Sequence, residues 1–294
     1  MNTSWEDLRL FLAVAETGSF SAAARSLRTS QPTLSRRISA LEVELGEALF
    51  QRSAEGVTRT AAGERLLPAA RRMAEWAAEA GRAAAGGERA IEGVVRIAAP
   101  PGFAFEFLAP FAAHLRKVHP GLRLSVLAGV EYLNLSRGEA ELAIRVQRPS
   151  QRDLTCLAEI TIPTAAFAAP EYARKLGKKY TFADIDWITW APPHDNLPPT
   201  PQLAALIPDF RPAFSSNDLL VQWHAAEAGV GAFVMSRVEH RFSKSRLVEL
   251  ALDLGPYAKS SFCLVGVKSV CATPRVKAVI DLLLIELGQV SATA

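Results

Sequence analysis

The sequence predicts a mixed α/β protein built in two unlike parts, and three observations predict it. Over residues 5 to 41 apolar side chains recur at helical spacing. Residues 61 to 85 form one alanine-rich helical stretch. From Glu92 onward short apolar strands alternate with helices, the pattern of βαβ units and a largely parallel sheet covered by helices. At 294 residues, 49% hydrophobic and 21% charged, the chain has the composition of a globular protein with length for two or three domains.

In the first part Leu8, Phe11, Leu12 and Ala15 fall at i, i+3, i+4 and i+7, one buried face of a helix that Gly18 ends. Ser21 is expected to cap a second helix over 22–27, whose small side chains let another helix pack close. After a turn at Arg28-Thr29, Ser30 caps a third helix, and Pro32 is tolerated in its first turn because no intrahelical N–H bond is lost there. Leu34, Ile38 and Leu41 make the inward face, which leaves Gln31, Thr33, Ser35, Arg36 and Arg37 to point outward. Two short helices, a tight turn and a polar leading end match the helix-turn-helix, whose second helix enters the DNA major groove N-terminus first.

Charge supports this locally, not globally. Residues 1 to 65 hold eight Arg and eight Asp or Glu, yet no acid lies between Glu16 and Glu42, where Arg25, Arg28, Arg36 and Arg37 are found. Such a run alone most often means a solvated face; the helical pattern shifts the balance toward a nucleic acid. Arg can donate a bidentate pair to guanine, Gln can pair in two-pronged fashion with adenine, and hydroxyls reach bases or phosphates. Helix N-termini at Ser21 and Ser30 would add N–H groups and partial positive charge suited to phosphate.

In the alanine-rich stretch Leu66, Ala70, Met73, Ala77, Ala80 and Ala84 repeat at alternating four and three residues. That 3.5-residue rhythm suits pairing with a second copy, the other reading being a helix packed on its own domain. Pro68 should kink the helix, and Gly86-Gly87 ends it as a hinge. Beyond it the pattern places strands at 94–98, 122–126 and 142–146 and a helix at 105–118. A second set follows: strands at 164–168, 187–190 and 231–235, a Pro-rich loop at 192–201, and a helix after Asn217. The last helix carries Val276, Val279, Ile280, Leu283 and Leu287 on one face and needs a sheet to lie against.

These residues resemble the LysR-type transcriptional regulators. The resemblance runs through AETGSFSAAA from residue 15, SQPTLSRRI from residue 30, Leu41-Glu42, Leu45-Gly46, Leu49-Phe50-Gln51-Arg52 and Thr60-Ala61-Ala62-Gly63. It continues more weakly in GVVRIAAP from residue 93, PGLRL from residue 120, GEAELAIRV from residue 138 and AEAGVG from residue 226. It implies a winged helix-turn-helix over 1–60 with a wing from Phe50 to Thr60, and a linker helix and hinge over 61–91 that pairs subunits into a dimer or tetramer. Residues 92–294 would be a two-lobed α/β effector-binding domain similar to type II periplasmic binding proteins, with lobe I about 92–162 and 269–294 and lobe II about 163–268. The implied partners are double-stranded DNA and a small-molecule effector, with no cofactor.

Residue by residue, the resemblance puts Gln31, Pro32, Ser35 and Arg36 at or near base edges, and Ser21, Thr33, Arg37 and Arg52 on phosphates or in orienting roles; Ser30 belongs to the same face. Two departures concern the wing: Glu55 stands where many relatives carry a basic residue, and Arg59 where an apolar one is usual. The effector cleft would be walled by Pro100, Pro101, Gly102 and Phe103, by Gly129 and Val130, by Arg145 and Val146, and by Ser215, Ser216, Asn217 and Asp218. Ligands of open α/β sheets do gather beyond the carboxyl ends of strands. Arg145 suits a carboxylate ligand and an ion pair within its lobe equally well. Ala99-Pro100-Pro101-Gly102 lacks the hydroxyl many relatives have there, which leaves the polarity of the ligand open.

Other chemistries leave no trace. There is no G-x-S-x-G, P-loop or H-E-x-x-H, and Gly229-Val230-Gly231 lacks the third glycine of a dinucleotide fingerprint. The five histidines show no metal-ligand spacing. Cys156, Cys263 and Cys271 read as small apolar residues, a redox pair of the last two being the other possibility. No apolar run spans a membrane, and the amino terminus lacks an export signal, so the expected location is the cytoplasm. The rival to a DNA-binding regulator is a two-lobed binding protein or enzyme whose first domain serves protein association.

Overall fold

A computed structural model describes residues 4–53, 56–84, 91–238, 240–241 and 245–292. Glu55 and the expected hinge at Gly86-Gly87 lie outside the described residues, as do the side chains of Arg52 and Ala84. The chain divides into two compact units, Met1–Arg89 and Ala90–Ala294.

The first unit runs α1 (Trp5–Thr17), α2 (Phe20–Ser26), α3 (Gln31–Leu45), β1 (Phe50–Ser53), β2 (Gly56–Arg59) and α4 (Ala61–Ala84). β1 and β2 form the antiparallel hairpin expected of the wing, Phe50 facing Arg59 and Ser53 facing Gly56. The inward residues of the three short helices meet as read: Phe11, Leu34 and Ile38 are fully buried, and Phe50 packs its ring 5.2 Å from Phe11 and 5.9 Å from Phe20. Gly18 ends α1 at φ 64 and donates its N–H to Val14 O at 2.9 Å, a left-handed stop that a Cβ would oppose.

One cap moves. The N-cap of α2 is Ser19, extended at φ −152 and accepting from Ala22 N, rather than Ser21. The reason is Phe20, whose buried ring must enter the core from the first helical turn and so draws the helix start forward.

α4 begins at Ala61 and carries Pro68 in its interior without ending there. The two ends of its seam differ. Ala70 and Leu67 are buried with Leu66 against the helical core, whereas Met73, Ala77 and Ala80 lie open.

The second unit runs β3 (Gly93–Ala99), α5 (Pro101–Phe103), a π turn at Ala104–Leu108, α6 (Ala109–Val118), β4 (Leu122–Ala128), β5 (Leu142–Arg145) and β6 (Leu154–Ala168). It continues through α7 (Pro170–Leu176), β7 (Ile188–Trp190), α8 (Thr200–Leu206), β8 (Phe214–Ser216), α9 (Leu219–Glu227), β9 (Ala232–Ser236) and β10 (Val248–Leu250). β11 (Lys259–Val267), α10 (Lys268–Cys271) and α11 (Pro274–Ala292) close it.

The sheet corrects the expectation of a largely parallel one. β3 pairs in parallel with β4 and β5, and β7 with β8. The fifteen-residue β6, however, is antiparallel to β9, β10 and β11, and β11 is antiparallel to β5. The cause is topological. Within each lobe helices return the chain to the same sheet edge and give parallel neighbours, whereas one segment passes from the first lobe to the second and another returns, so the two crossings run in opposite directions. Cys263–Gly266 of β11 pair with β5, which places these residues in the sheet of the first lobe although the sequence reading assigns them to the second.

The first-lobe core joins Phe107, Phe111 and Leu115 to Val276, Val279, Leu283 and Leu287 of α11 around β3 and β5, so the last helix does have its sheet. All three cysteines are free, and burial pushes the Cys263 thiol up to about 11 and that of Cys271 upward as well. Thiolates are therefore suppressed at neutral pH, in keeping with small apolar residues.

Candidate functional site

The turn between α2 and α3 is built by backbone bonds that only one geometry supplies. Arg28 N–H donates to Arg25 O at 3.2 Å and Thr29 N–H to Ala24 O at 3.0 Å, with Arg28 left-handed at φ 53. This is the Schellman closure, with a non-glycine residue in glycine's usual place. Arg28→Gly is expected to leave stability equal or higher by up to about 1 kcal/mol, because relief of left-handed strain outweighs the extra freedom of the unfolded chain. A thermal melt checks this; a clear loss of stability would show that the arginine side chain, not the backbone, holds the turn.

Ser30 caps α3, its hydroxyl accepting from Thr33 N at 3.2 Å and lying 2.7 Å from the Thr33 hydroxyl. Pro32 sits in the first turn and is exposed. Ser21 donates to Gln31 Oε1 at 3.1 Å, tying the first turns of the two helices across the bend. Gln31 and Arg36 are exposed, while Ser35 and Thr33 are partly covered. The leading end of α3 thus stands open on its own unit.

The arginines separate into two groups. Arg37 reaches back to α1, where its guanidinium lies 2.6 Å from Asp7, with Glu6 at 4.0 Å. Arg59 donates to Ala15 O at 2.8 Å and pairs with Glu64 at 2.8 Å, so it fastens the wing to α1 and α4. Arg9, Arg65 and Arg71 likewise face Glu6, Glu47 and Glu16. Among the described residues Arg25, Arg28 and Arg36 form no ion pair, and all three are exposed around the turn. Unneutralised cations at an exposed helix tip are what a phosphate-lined groove requires.

In the second unit the cleft residues do not converge on one place. Pro100, Pro101, Gly102 and Phe103 line a cavity of about 640 Å³ whose other walls include Thr164, Trp190, Gln202, Ser236, Tyr257 and Phe262. Pro101, Gly129, Val130, Asn217 and Asp218 border a second one of about 400 Å³ with Phe105 and His194. Arg145, Val146, Ser215 and Ser216 line neither.

Arg145 is buried, donates from Nη2 to Leu133 O at 2.8 Å and lies 4.9 Å over the ring of Tyr132; its burial pulls the guanidinium below its ordinary pKa. Among the described residues it forms no ion pair within its lobe; its partners are a carbonyl and a ring, and its buried Nε has no hydrogen-bond partner. Val146 is half exposed. Ser216 accepts from Asp218 N at 3.1 Å, and Asp218 caps α9 by accepting from Leu220 N and Val221 N. Thr164, Gln202 and Ser260 were not legible as cavity residues, because their meeting depends on the crossing strands and on α8, which starts at the end of the expected Pro-rich loop.

Fold and site together define a helix-turn-helix protein joined to a two-lobed substrate-binding domain. Residues 5–64 match the profile of the bacterial regulatory helix-turn-helix proteins of the lysR family, and residues 88–288 match that of the LysR substrate binding domain. The chain belongs to the LysR family.

It is 31% identical over 178 residues to an HTH-type transcriptional regulator of Xanthomonas campestris pv. campestris, a match spanning 60% of this chain but only 52% of that protein. To the HTH-type transcriptional activator AaeR of Escherichia coli it is 28% identical over 249 residues, 82% of this chain and 80% of the relative. In structure it is similar to full-length CbnR complexed with its target DNA, at a TM-score of 0.57 and 21% identity over 99% of both chains, a likeness of fold. No helix among the described residues is long and apolar enough to cross a membrane, and no group of three or more His, Cys, Asp or Glu among them could hold a metal ion.

Proposed function

We propose that the chain is a cytoplasmic transcriptional regulator that binds double-stranded DNA as a dimer or tetramer and answers to a small molecule held in its second unit. The observation that carries this reading is the open tip of α3, where Gln31 and Arg36 stand beside Arg25 and Arg28 with no acid in the sequence from 17 to 41. Membership of a family of regulatory helix-turn-helix proteins supports it, and the regulators among its relatives disfavour the reading as an enzyme. The open stretch of the α4 seam at Met73, Ala77 and Ala80 supports pairing with a second copy.

The roles proposed on DNA are base contacts by Gln31, Pro32, Ser35 and Arg36, and phosphate or orienting contacts by Ser21, Ser30, Thr33 and Arg52. Arg37 orients α3 through Asp7. Bound genomic fragments selected with the purified protein supply the DNA. Fluorescence anisotropy on them is expected to give affinity that falls steeply with salt, with a slope of about −0.9 per neutralised phosphate on a log–log plot. Arg36→Ala should relax preference at one base position by about 1–3 kcal/mol, whereas Arg52→Ala should weaken all sequences alike. Affinity indifferent to salt would overturn the regulator reading, and two variants that both spare base preference would overturn this division of roles.

A further inference from the structure

We infer that the small molecule of the second unit is an uncharged, mainly apolar compound carrying at least one hydrogen-bond donor, seated in the 640 Å³ cavity and not a carboxylate held by Arg145. This rests on the effector reading proposed above and gives that ligand its chemical class.

The walls point this way. Phe103, Phe182, Trp190, Tyr257 and Phe262 bring five aromatic rings from both lobes and from the crossing strand β11, and the volume lies within the range of about 300–1,000 Å³ usual for small-molecule sites. Two of the polar groups are already satisfied: the Thr164 and Ser260 hydroxyls lie 2.8 Å apart and bond to each other. One is not. Gln202 Oε1 is buried with no hydrogen-bond partner, an acceptor that a ligand N–H or O–H would complete.

Charge is missing where an anion would need it. The lining contains no arginine. Its Lys259 and Asp253 are both exposed at the rim and cancel in sign. The cavity of about 400 Å³ offers no Lys or Arg either, and its Asp218 carboxylate would repel an anion; in a further one of about 430 Å³, Arg237 is paired with Glu249 at 2.8 Å and Glu106 also lines the wall. An unpaired carboxylate or sulfonate placed among these rings would lose its hydration without compensation. Tyr257 and Leu206, exposed at 52% and 61%, are also lining residues and leave the cavity a route to solvent.

The test uses the full chain and two dyes that share their rings. N-phenyl-1-naphthylamine is neutral with one N–H donor; 1-anilinonaphthalene-8-sulfonate adds an anion. Fluorescence titration is expected to show one site for the neutral dye, with the sulfonate weaker by at least about tenfold. Gln202→Leu, which keeps bulk and removes the acceptor, should weaken the neutral dye about fivefold. Ala205→Trp, at an exposed position of α8 that also lines the cavity, should block it and weaken the dye at least about tenfold.

Sulfonate binding as tight as or tighter than the neutral dye, or neutral-dye binding unchanged in both variants, would overturn the inference. These titrations contain no DNA. Salt-steep DNA binding alongside a failed dye experiment removes this inference alone, whereas salt-indifferent DNA binding alongside a successful one removes the regulator reading and leaves the chemistry of the cavity standing.

Discussion

Glu286→Ala is expected to cost the second unit about 1–3 kcal/mol, the penalty of leaving buried hydrogen-bonding groups without their partner. Glu286 is 2% exposed on α11, and three basic side chains converge on it: Arg241 at 2.6 Å, His240 at 3.0 Å and His114 at 3.2 Å. Alanine removes the carboxylate that Arg241, His240 and His114 face, and leaves the two imidazoles without that partner. Glu286→Gln keeps the volume and hydrogen-bonding capacity and should cost less. Urea unfolding at neutral pH reads both, and equal midpoints for wild type and Glu286→Ala would show that the cluster contributes nothing.

The same cluster sets a pH response. Burial holds His240 below its ordinary value of 6.5 against the opposing pull of Glu286. The folded state therefore prefers the neutral ring, so its contribution is complete above about 6.5 and is lost as pH falls from there toward the depressed folded value. The urea midpoint should drop over that window in wild type and drop less in His240→Asn.

Gly231→Ala is expected to be the most damaging single-carbon addition, at about 3 kcal/mol or more. A Cβ at Gly231 would stand 1.8 Å from Asp186 O, the atom to which Ala232 N–H already donates at 2.9 Å. The obstacle is backbone and cannot rotate aside, so β9 would have to part from Trp187, which is 1% exposed in the core of the second lobe. Gly288→Ala provides the contrast. It adds the same methyl within α11 with nothing within 4 Å, and should stabilise by about 0.5–1 kcal/mol through helix propensity. Urea midpoints of the two variants should move in opposite directions, and a Gly231→Ala midpoint at the wild-type value would mean the chain there yields freely.

What the sequence made legible follows from which forces are local. The face of Leu34, Ile38 and Leu41 and the Ser30 cap depend on residues within a few positions of each other, and both appear in place, as does the wing hairpin that the family resemblance implies. The start of α2 depended on where Phe20 would be buried, a tertiary matter, and was misplaced by two residues. Likewise the strand expected at 164–168 begins at Leu154 and runs through Pro163, which faces Lys259 of β11 and whose carbonyl accepts from Arg237 N. The charge run around the turn was visible, but only geometry separates Arg37, spent on Asp7, from Arg36. Arg145 shows the same limit in the second unit: residue type suggested a partner for a carboxylate, and the chain folded it onto Leu133 O and Tyr132.

The paired passage of β6 and β11 from one lobe to the other also decides how the lobes can move. The two strands are matched at nine positions with one register shift between Leu264 and Val265, and Cys263–Gly266 also pair with β5, so the lobes are joined by a hydrogen-bonded ribbon anchored in the first-lobe sheet, which resists hinging more than two loose threads would.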